Sequence, residues 1–417
     1  MRSLHQLLPP FFFAERKVCR FLCTGILYSL FLWPFLNTLL CICLAGYWLL
    51  FCKKTFNRNK HAFRLVLLFS SLYLPYLIGM FYTANLDEGF FRLGEHIAFI
   101  LFPFVFGCSQ FLDKSLVRIL LTHFVIVCGI TSLAGFIFGM LPSHIILPEA
   151  LRNGNQYIFG DTYPYIIGLA CLLSLFIILE KLYDSRILKK GFIIFYIPFL
   201  SFYLLFLNVR TISFIWILLI VYFVYQLIRS NVYRMLISLV ILILFIAGIY
   251  KTPRMSSKWN ELQNFKEQMI PLDQDASLGK SWGGLTIRIA LWRCGKDLIS
   301  RHVLFGVGTG DVKDSLQQAY ENRKFYFASR YNTYNLHNQY LQMLAGFGLF
   351  GLILLLACIV APFICLRYGE LRRIRIFFLL TFILICFTEV ILDTNKGIIW
   401  YSFFNSIFAF GADKNEA

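Results

Sequence analysis

The sequence predicts an all-α polytopic membrane protein of about twelve transmembrane helices with one large loop outside the membrane. Of its 417 residues, 59% are hydrophobic and 15% are charged, whereas about a quarter of a soluble domain is charged. Apolar runs of 16 to 25 residues recur along the chain, and roughly 20 such residues cross the hydrocarbon core of a bilayer. This composition excludes a soluble enzyme, a disordered chain and a disulfide scaffold. The unbroken runs exclude an outer-membrane barrel, whose strands alternate in polarity.

The apolar runs place the individual spans. Pro34 divides the first long run, because proline is tolerated at a helix start but not in a helix interior. Arg16, Lys17 and Arg20 precede that run without a small-residue cleavage site, which indicates an uncleaved anchor. The predicted spans are residues 20–35, 36–52, 65–83, 96–111, 119–140, 163–180, 191–208, 211–228, 235–250, 337–361, 376–392 and 397–411.

The orientation follows from lysine and arginine in the short loops, which concentrate on the cytoplasmic side of a membrane. With the N-terminus inside, the inner segments hold 22 of the 39 basic residues, and the short outer turns hold 4. Both termini are therefore predicted to be cytoplasmic. The chain divides into helices one to nine (1–250), a large periplasmic loop (251–336), and helices ten to twelve with a cytoplasmic tail (337–417).

The large loop carries most of the polar surface. It holds 13 basic and 8 acidic residues in a chain whose formal net charge is +17. Because this surface faces away from the cytosol, a nucleic-acid partner is excluded and an anionic group such as a phosphate or diphosphate is favoured. The twelve cysteines lie almost entirely in apolar segments, with Cys294 alone in the loop. We expect them to be packing residues and not zinc ligands.

One run within the loop, residues 284–293, has the spacing of an amphipathic helix. Leu285, Ile289 and Trp292 share one face of that helix, and Arg288 lies at its edge. A partly desolvated guanidinium presents a planar set of donors that suits phosphate oxygens. The alternative is an ordinary amphipathic helix that lies on the membrane surface.

Two other patterns in the loop favour structural roles. Residues 305–311 contain three glycines, but no strand precedes them as in a nucleotide-binding loop. A helix stop at Gly306 and a new helix capped by Asp311 explain them better. Asp273 and Asp275 match the acidic pattern by which many sugar-nucleotide transferases hold a metal. Sugar nucleotides are cytosolic, however, and this loop faces outward, so we expect no metal site here.

Residues at the outer ends of the spans could carry chemistry. Asn335 could cap the tenth span, which would place His337 in its first turn. The positive helix end there favours a neutral imidazole, as a general base must be. Arg210 stands in a short outer turn between two apolar helices, where such a charge indicates function. The alternatives are a histidine that anchors a helix end and an arginine that reaches lipid phosphate. Arg152, in another outer loop, gives a weaker signal for the same cavity.

Several isolated polar residues are expected to be structural. His96, His123 and His144 stand alone beside or within apolar spans. Asp87 and Glu88 are expected to mark a solvated outer turn.

Taken together, these residues resemble the O-antigen ligase and O-antigen polymerase family of bacterial inner-membrane proteins. The resemblance covers the topology of the whole chain and, more specifically, residues from about 200 to 355. The family's outer turn often reads Thr-x-Ser/Thr-Arg, whereas here Asn208 and Val209 precede the arginine. The matching segments are the turn with Arg210, Arg288-x-x-Leu291-Trp292, residues 305–311, and His337-Asn338-Gln339-Tyr340-Leu341 followed by Gly348-x-x-Gly351.

The resemblance implies a GT-C-like membrane glycosyltransferase that transfers a glycan from undecaprenyl diphosphate at the periplasmic face of the inner membrane. It implies that Arg210 and Arg288 hold the diphosphate and that His337 activates the acceptor hydroxyl. Arg152 and Asn338 are further candidates for substrate binding. No metal or other cofactor is expected, because fixed guanidinium groups can stabilise the leaving diphosphate.

The family contains two activities that share this chemistry. A ligase transfers the glycan to a sugar of lipid A–core, and a polymerase transfers it to another lipid-linked repeat. The span layout and chain length favour the ligase, with the polymerase and a protein O-oligosaccharyltransferase as alternatives. A transporter of lipid-linked glycans would carry charged or broken segments at matching positions in two halves. Here the polar residues are concentrated in one loop, which favours an enzyme.

Overall fold

A computed structural model describes residues 15–54, 60–140, 164–207, 209–250, 286–325, 327–331, 334–366 and 369–411. The predictions made for Arg152, His144, Asn208, Asp273 and Asp275 lie outside the described residues.

The described chain is helical, and its extended pairing is limited to an isolated bridge between Lys54 and Ser109. The helices are α1 Glu15–Leu32, α2 Pro34–Phe51, α3 Lys60–Ser70, α4 Leu74–Gly79, α5 Leu86–His96, α6 Ala98–Gly107, α7 Lys114–Met140, α8 Pro164–Leu179, α9 Lys190–Phe206, α10 Arg210–Leu227, α11 Asn231–Tyr250, α12 Thr286–Arg301, α13 Val312–Asn322, α14 Gln339–Cys365, α15 Arg372–Cys386 and α16 Asn395–Phe410.

Every predicted span falls on one or more of these helices, in agreement with a polytopic membrane protein. Within the described residues, six helical stretches are long and apolar enough to cross a membrane by length and composition. They are Pro34–Phe51, Ala62–Gly79, Leu86–Gly107, Lys114–Ile137, Arg210–Leu227 and Gln339–Cys365. The total of twelve spans stays a prediction. The predicted break at Pro34 is confirmed, since Trp33 is extended and Pro34 begins α2, as its fixed φ favours.

The last helix forms the centre of the bundle. Residues 397–410 of α16 are buried on every side, which is typical of a helix without a polar face. Its aromatic rings pack against those of α6 and α15, with Phe403 edge-on to Phe102 and Tyr401 stacked on Phe382. The cysteines agree with the packing role predicted for them: all twelve are free thiols, and Cys43 and Cys365 alone are exposed.

Polar contacts between loops sort into two layers at opposite ends of the bundle. One layer joins segments predicted to be cytoplasmic, through the ion pairs Arg16–Asp113, Arg118–Glu370 and Arg373–Glu180. The other joins segments predicted to face outward, through the pairs Tyr82–Phe305, Asn85–Asp314 and Arg92–Asp393. These contacts agree with the predicted alternation of the chain across the bundle. Which layer faces the cytosol stays a prediction.

The described residues of the predicted large loop, 286–325, 327–331 and 334–336, form a folded helical unit that we call the loop cap. The loop cap has a hydrophobic cluster of its own. Ile287, Leu291 and Cys294 of α12 pack with Leu316 and Tyr320 of α13. Of the residues predicted to share one face of this helix, Ile289 and Trp292 are half-buried, and Leu285 lies outside the described residues. The helix is covered by α13 and α14, and this turns its buried face by about one residue. The alternative of a helix lying on the membrane surface stays a prediction.

Helix α14 is broken at Gly348, where φ is +60° and ψ is −156°. The loop segment 303–308 pairs with the break through backbone hydrogen bonds Val307–Ala345, Gly308–Gly346, Leu349–Val303 and Phe350–Leu304. These bonds satisfy the backbone groups that a broken helix exposes, as a low-dielectric environment requires. Added Cβ atoms at Gly348 and Gly306 would lie 2.3 Å and 2.2 Å from backbone carbons of the opposite segment. The glycines therefore serve a close backbone contact between the loop and the membrane helix.

Candidate active site

Three side chains from three separate elements meet in the layer that is predicted to face outward. Glu389 accepts from Arg288 at 2.6 Å through one carboxylate oxygen, and its other oxygen lies 3.2 Å from Nδ1 of His337. The glutamate side chain is 7% exposed, whereas those of Arg288 and His337 are 25% and 26% exposed. A carboxylate buried this deeply requires compensating partners, and the arginine and histidine supply them. The two partners keep enough surface to meet a substrate.

Each of the three residues sits at the end of a helix. Arg288 lies in the first turn of α12, and His337 precedes α14 by two residues. Glu389 follows the end of α15, where its N–H donates to the carbonyl of Ile385. Helix ends leave backbone groups without partners in the helix. The chain also changes direction there, so a residue at a helix end can place its side chain in a direction that a residue in the helix interior cannot. The site is therefore assembled where the loop cap meets the ends of the membrane helices.

The backbone of His337 is held in an unusual conformation. Its φ is +44°, a left-handed value that is uncommon outside glycine and costs free energy. The Asn335 side chain accepts the His337 N–H at 3.0 Å and supports this conformation. The predicted cap was wrong: Asn338, and not Asn335, caps α14, with its side chain accepting from Leu341 N–H. His337 therefore lies outside the helix. The group beside its imidazole is the Glu389 carboxylate, and not the positive end of the helix as predicted.

The contact with Glu389 determines how the imidazole can act. A carboxylate beside Nδ1 favours the proton on that nitrogen when the ring is neutral. Nε2 then carries the lone pair and can accept a proton.

A third residue near the Glu389 carboxylate is Tyr165, in the first turn of α8. Its hydroxyl interacts with both Glu389 and Arg288. Sequence reasoning singled out neither Tyr165 nor Glu389. A usable signal existed for the glutamate, because it fell inside the predicted span 376–392, and an ionisable residue inside a span indicates function. No comparable signal marks the tyrosine.

The other predicted site residues that the structure describes are Arg210 and Asn338. Arg210 begins α10 with an exposed side chain. The hydroxyl of its neighbour Thr211 lies 3.2 Å from that of Thr388, which places Arg210 at the same end of the bundle as Glu389. Asn338 is 7% exposed and donates to the Phe387 carbonyl at 3.2 Å. This geometry gives Asn338 a structural part, and its predicted binding role remains untested.

Two further sequence expectations take a different form in the structure. Asp311 precedes α13 but does not cap it, because its carboxylate accepts from the N–H groups of Ala84 and Asn85. Asp87 and Glu88 lie in the first turn of α5 and not in a loop. Asp311 thus joins the loop cap to the α4–α5 connection, whereas α5 begins where the Asn85 side chain accepts from the Glu88 N–H.

The predicted structural role of His96 agrees with its surroundings. The ring is 1% exposed, and its nitrogens meet the carbonyls of Arg92 and Leu392 at 2.7 Å and 2.9 Å. The ring also stacks on Tyr76 with centroids 3.8 Å apart. His96 therefore joins α5 to the connection that follows Glu389.

Among the described residues, no group of three histidine, cysteine, aspartate or glutamate side chains has the geometry of a metal site. Asp273 and Asp275 are not among those residues, so metal independence stays a prediction.

A comparison with protein families places the site in a known context. Residues 193–356 match the family described as O-antigen ligase, and the predicted resemblance is confirmed over that range. Members of this family are membrane glycosyltransferases of the ligase or polymerase type that act on lipid-linked glycans. The matched range contains Arg210, Arg288 and His337, and Glu389 lies beyond it. A search of curated proteins found no match.

Proposed function

We propose that this protein is an O-antigen ligase of the bacterial inner membrane. In this proposal it transfers a glycan from undecaprenyl diphosphate to a sugar of lipid A–core at the periplasmic face. The observation that carries the proposal is the contact of Glu389 with both Arg288 and His337. It joins a candidate base to a candidate phosphate-binding group within a segment that largely matches the ligase family.

The acceptor hydroxyl has to be activated for the reaction, because an alcohol is a poor nucleophile. Nε2 of His337 removes its proton as the oxygen attacks the anomeric carbon of the donor glycan. General-base catalysis of this kind contributes roughly 10²–10⁴-fold. Glu389 holds the ring by Nδ1 and stabilises the imidazolium. The new carbon–oxygen bond forms as the bond to the diphosphate oxygen breaks, so direct attack inverts the anomeric configuration.

The leaving group is undecaprenyl diphosphate, which gains negative charge as the bond breaks. Guanidinium groups fixed at a low-dielectric boundary stabilise that charge in the transition state. Arg210 is exposed and offers its full charge. Arg288 donates to Glu389 through one terminal nitrogen, and its guanidinium presents its N–H donors in one fixed plane. Arg288 therefore both anchors the carboxylate and contacts the diphosphate, and no metal is needed for the step.

A polymerase of the same family would use the same base and the same arginines, with a second lipid-linked repeat as acceptor. A protein O-oligosaccharyltransferase would differ only in the acceptor. A transporter of lipid-linked glycans, in contrast, needs no base. Replacement of His337 therefore distinguishes the enzymes from the carrier.

The test is the lipopolysaccharide banding pattern of a deletion strain complemented with wild-type protein or with His337→Ala. Core-only lipopolysaccharide with accumulated undecaprenyl-linked polymer, rescued by wild type and not by the variant, is the result expected for a ligase. Core bearing a single repeat would identify a polymerase instead. Full rescue by His337→Ala would contradict the mechanism.

A further inference from the structure

A cavity of about 240 Å³ lies beside the candidate active site, against roughly 10–15 Å³ for a single water. Its walls come from α5, the start of α13, the first turns of α14 and the connection after α15. The polar groups that line it include Glu88, Arg92, Lys313, Gln342 and Asp393. The diphosphate-binding candidates Arg210 and Arg288 belong to other elements, α10 and α12.

The cavity borders the segment that carries the candidate base. Tyr334 and Asn335 line the cavity and precede His337 in the chain. Asn335 accepts the His337 N–H, and the Tyr334 ring centroid lies 6.0 Å from that of the histidine. A molecule in this cavity would therefore contact the two residues that precede and support the candidate base, while Glu389 contacts the same histidine through Nδ1.

The polar groups of the cavity are held in place before any ligand binds. Gln342 donates to the Asp393 carboxylate at 2.8 Å. Arg92 is fixed by Glu88 at 2.8 Å and by Glu95 at 3.0 Å. Lys313 is exposed and stands at the rim. The cavity is thus lined by hydrogen-bond donors, by hydrogen-bond acceptors, and by both positively and negatively charged side chains.

The remaining wall is aromatic and apolar. Tyr76 packs on Phe347 with ring centroids 4.4 Å apart, and Met343 lies beside them. A sugar ring matches this combination, because its hydroxyls can both donate to carboxylates and accept from cationic groups. Its C–H faces suit an apolar wall with few, well-placed polar groups.

We propose that this cavity is the subsite for the acceptor sugar, with Asp393 and Lys313 as groups that bind its hydroxyls or charged substituents. The inference rests on the proposed glycosyltransferase function and adds the place of the second substrate. Donor and acceptor then approach from two sides of the segment 334–337. The diphosphate lies toward α10 and α12, and the acceptor lies toward α5 and α13.

The test uses purified protein in nanodiscs with two extracted substrates. These are lipid A–core and the undecaprenyl-diphosphate glycan that accumulate in a deletion strain. Asp393→Asn keeps the size of the side chain and can still accept from Gln342, and Lys313→Ala removes a cation at the rim. We expect each to raise the KM for lipid A–core by about tenfold, as loss of a charged hydrogen bond does. The KM for the donor glycan should change less than about twofold.

Matched control variants come from α12 of the loop cap. Lys296→Ala removes an exposed lysine of α12, and Asp297→Asn removes the partner of Arg323. Both should leave both KM values unchanged. An unchanged KM for lipid A–core in the Asp393 and Lys313 variants, with transfer by wild type intact, would overturn the subsite alone. Wild-type protein that transfers nothing to lipid A–core would overturn the proposed function together with it.

Discussion

His337 and Glu389 lie 52 residues apart in the chain, and Nδ1 of the histidine lies 3.2 Å from the carboxylate of the glutamate. The histidine precedes α14, and the glutamate follows α15. Because the second oxygen of Glu389 accepts from Arg288, one buried carboxylate aligns the candidate base and the candidate phosphate-binding group. The site therefore depends on the packing of the loop cap against the ends of α14 and α15.

The carboxylate should matter for the rate of transfer more than for acceptor binding. Glu389→Gln removes the charge that stabilises the imidazolium but keeps the size of the side chain. We expect kcat to fall on the order of 10²-fold, with the KM for lipid A–core changed little. Steady-state transfer by purified protein measures both. Glu370→Gln, at the opposite layer where Glu370 pairs with Lys114 and Arg118, is the control and should retain full activity.

Removal of the arginine should destabilise the protein, because it leaves a buried carboxylate without its cation. We expect Arg288→Ala to lower the thermal unfolding midpoint, and the added change Glu389→Gln to restore much of that loss. Activity should stay low in both variants. A double-mutant cycle of unfolding midpoints gives the coupling between the two side chains. Additive effects would contradict the importance of the pair.

The break in α14 should not tolerate a side chain. Gly348→Ala places a Cβ about 2.3 Å from the backbone of Leu304 in a conformation that only glycine adopts readily. The strain alone is ~1–3 kcal/mol. We expect a lower unfolding midpoint and reduced transfer, because the loop cap loses its backbone pairing. Gly46→Ala, where no atom lies within 4 Å, is the control and should be neutral or slightly stabilising.

Asp393 should give the stability a dependence on pH. Burial raises its pKa from 3.8 to about 6, against the opposing influence of the Arg92 charge and the Gln342 hydrogen bond. A raised carboxyl pKa favours the folded state while the group is protonated, and this contribution is lost as the pH rises through about 6. We expect the unfolding midpoint of wild type to fall relative to that of Asp393→Asn as the pH rises from about 4 to about 6, measured in buffers of equal ionic strength. A constant difference would contradict the raised pKa.

Thiol labelling tests the orientation of the two layers. Lys296 is exposed on the loop cap, and the side chain of Arg186 is 82% exposed in a segment predicted to be cytoplasmic. A membrane-impermeant maleimide should label Lys296→Cys in intact spheroplasts and Arg186→Cys only after permeabilisation. Labelling is measured above that of wild type. The opposite pattern would reverse the predicted topology.

Much of the helical framework could be predicted from composition alone, because membrane spans depend on the length and apolarity of continuous segments. The break at Pro34 and the partial exposure of Arg288 were predicted for the same local reasons. The buried face of α12 was not, because the position of α13 decides which side is covered. The cap of α14 was also misplaced, since Asn335 and Asn338 are both suitable and the turn at His337 selects between them.

The sequence by itself determined the apolar helices and the presence of His337, Arg288 and Arg210 as candidates, and it predicts the alternation of the chain across the bundle. These follow from local properties, namely hydropathy, charge and spacing. Only the tertiary structure decided that Glu389 lies between the arginine and the histidine. The reason is physical: a buried carboxylate is stable only where distant parts of the chain bring it compensating partners. The hydropathy of the sequence does not indicate which residues those partners are.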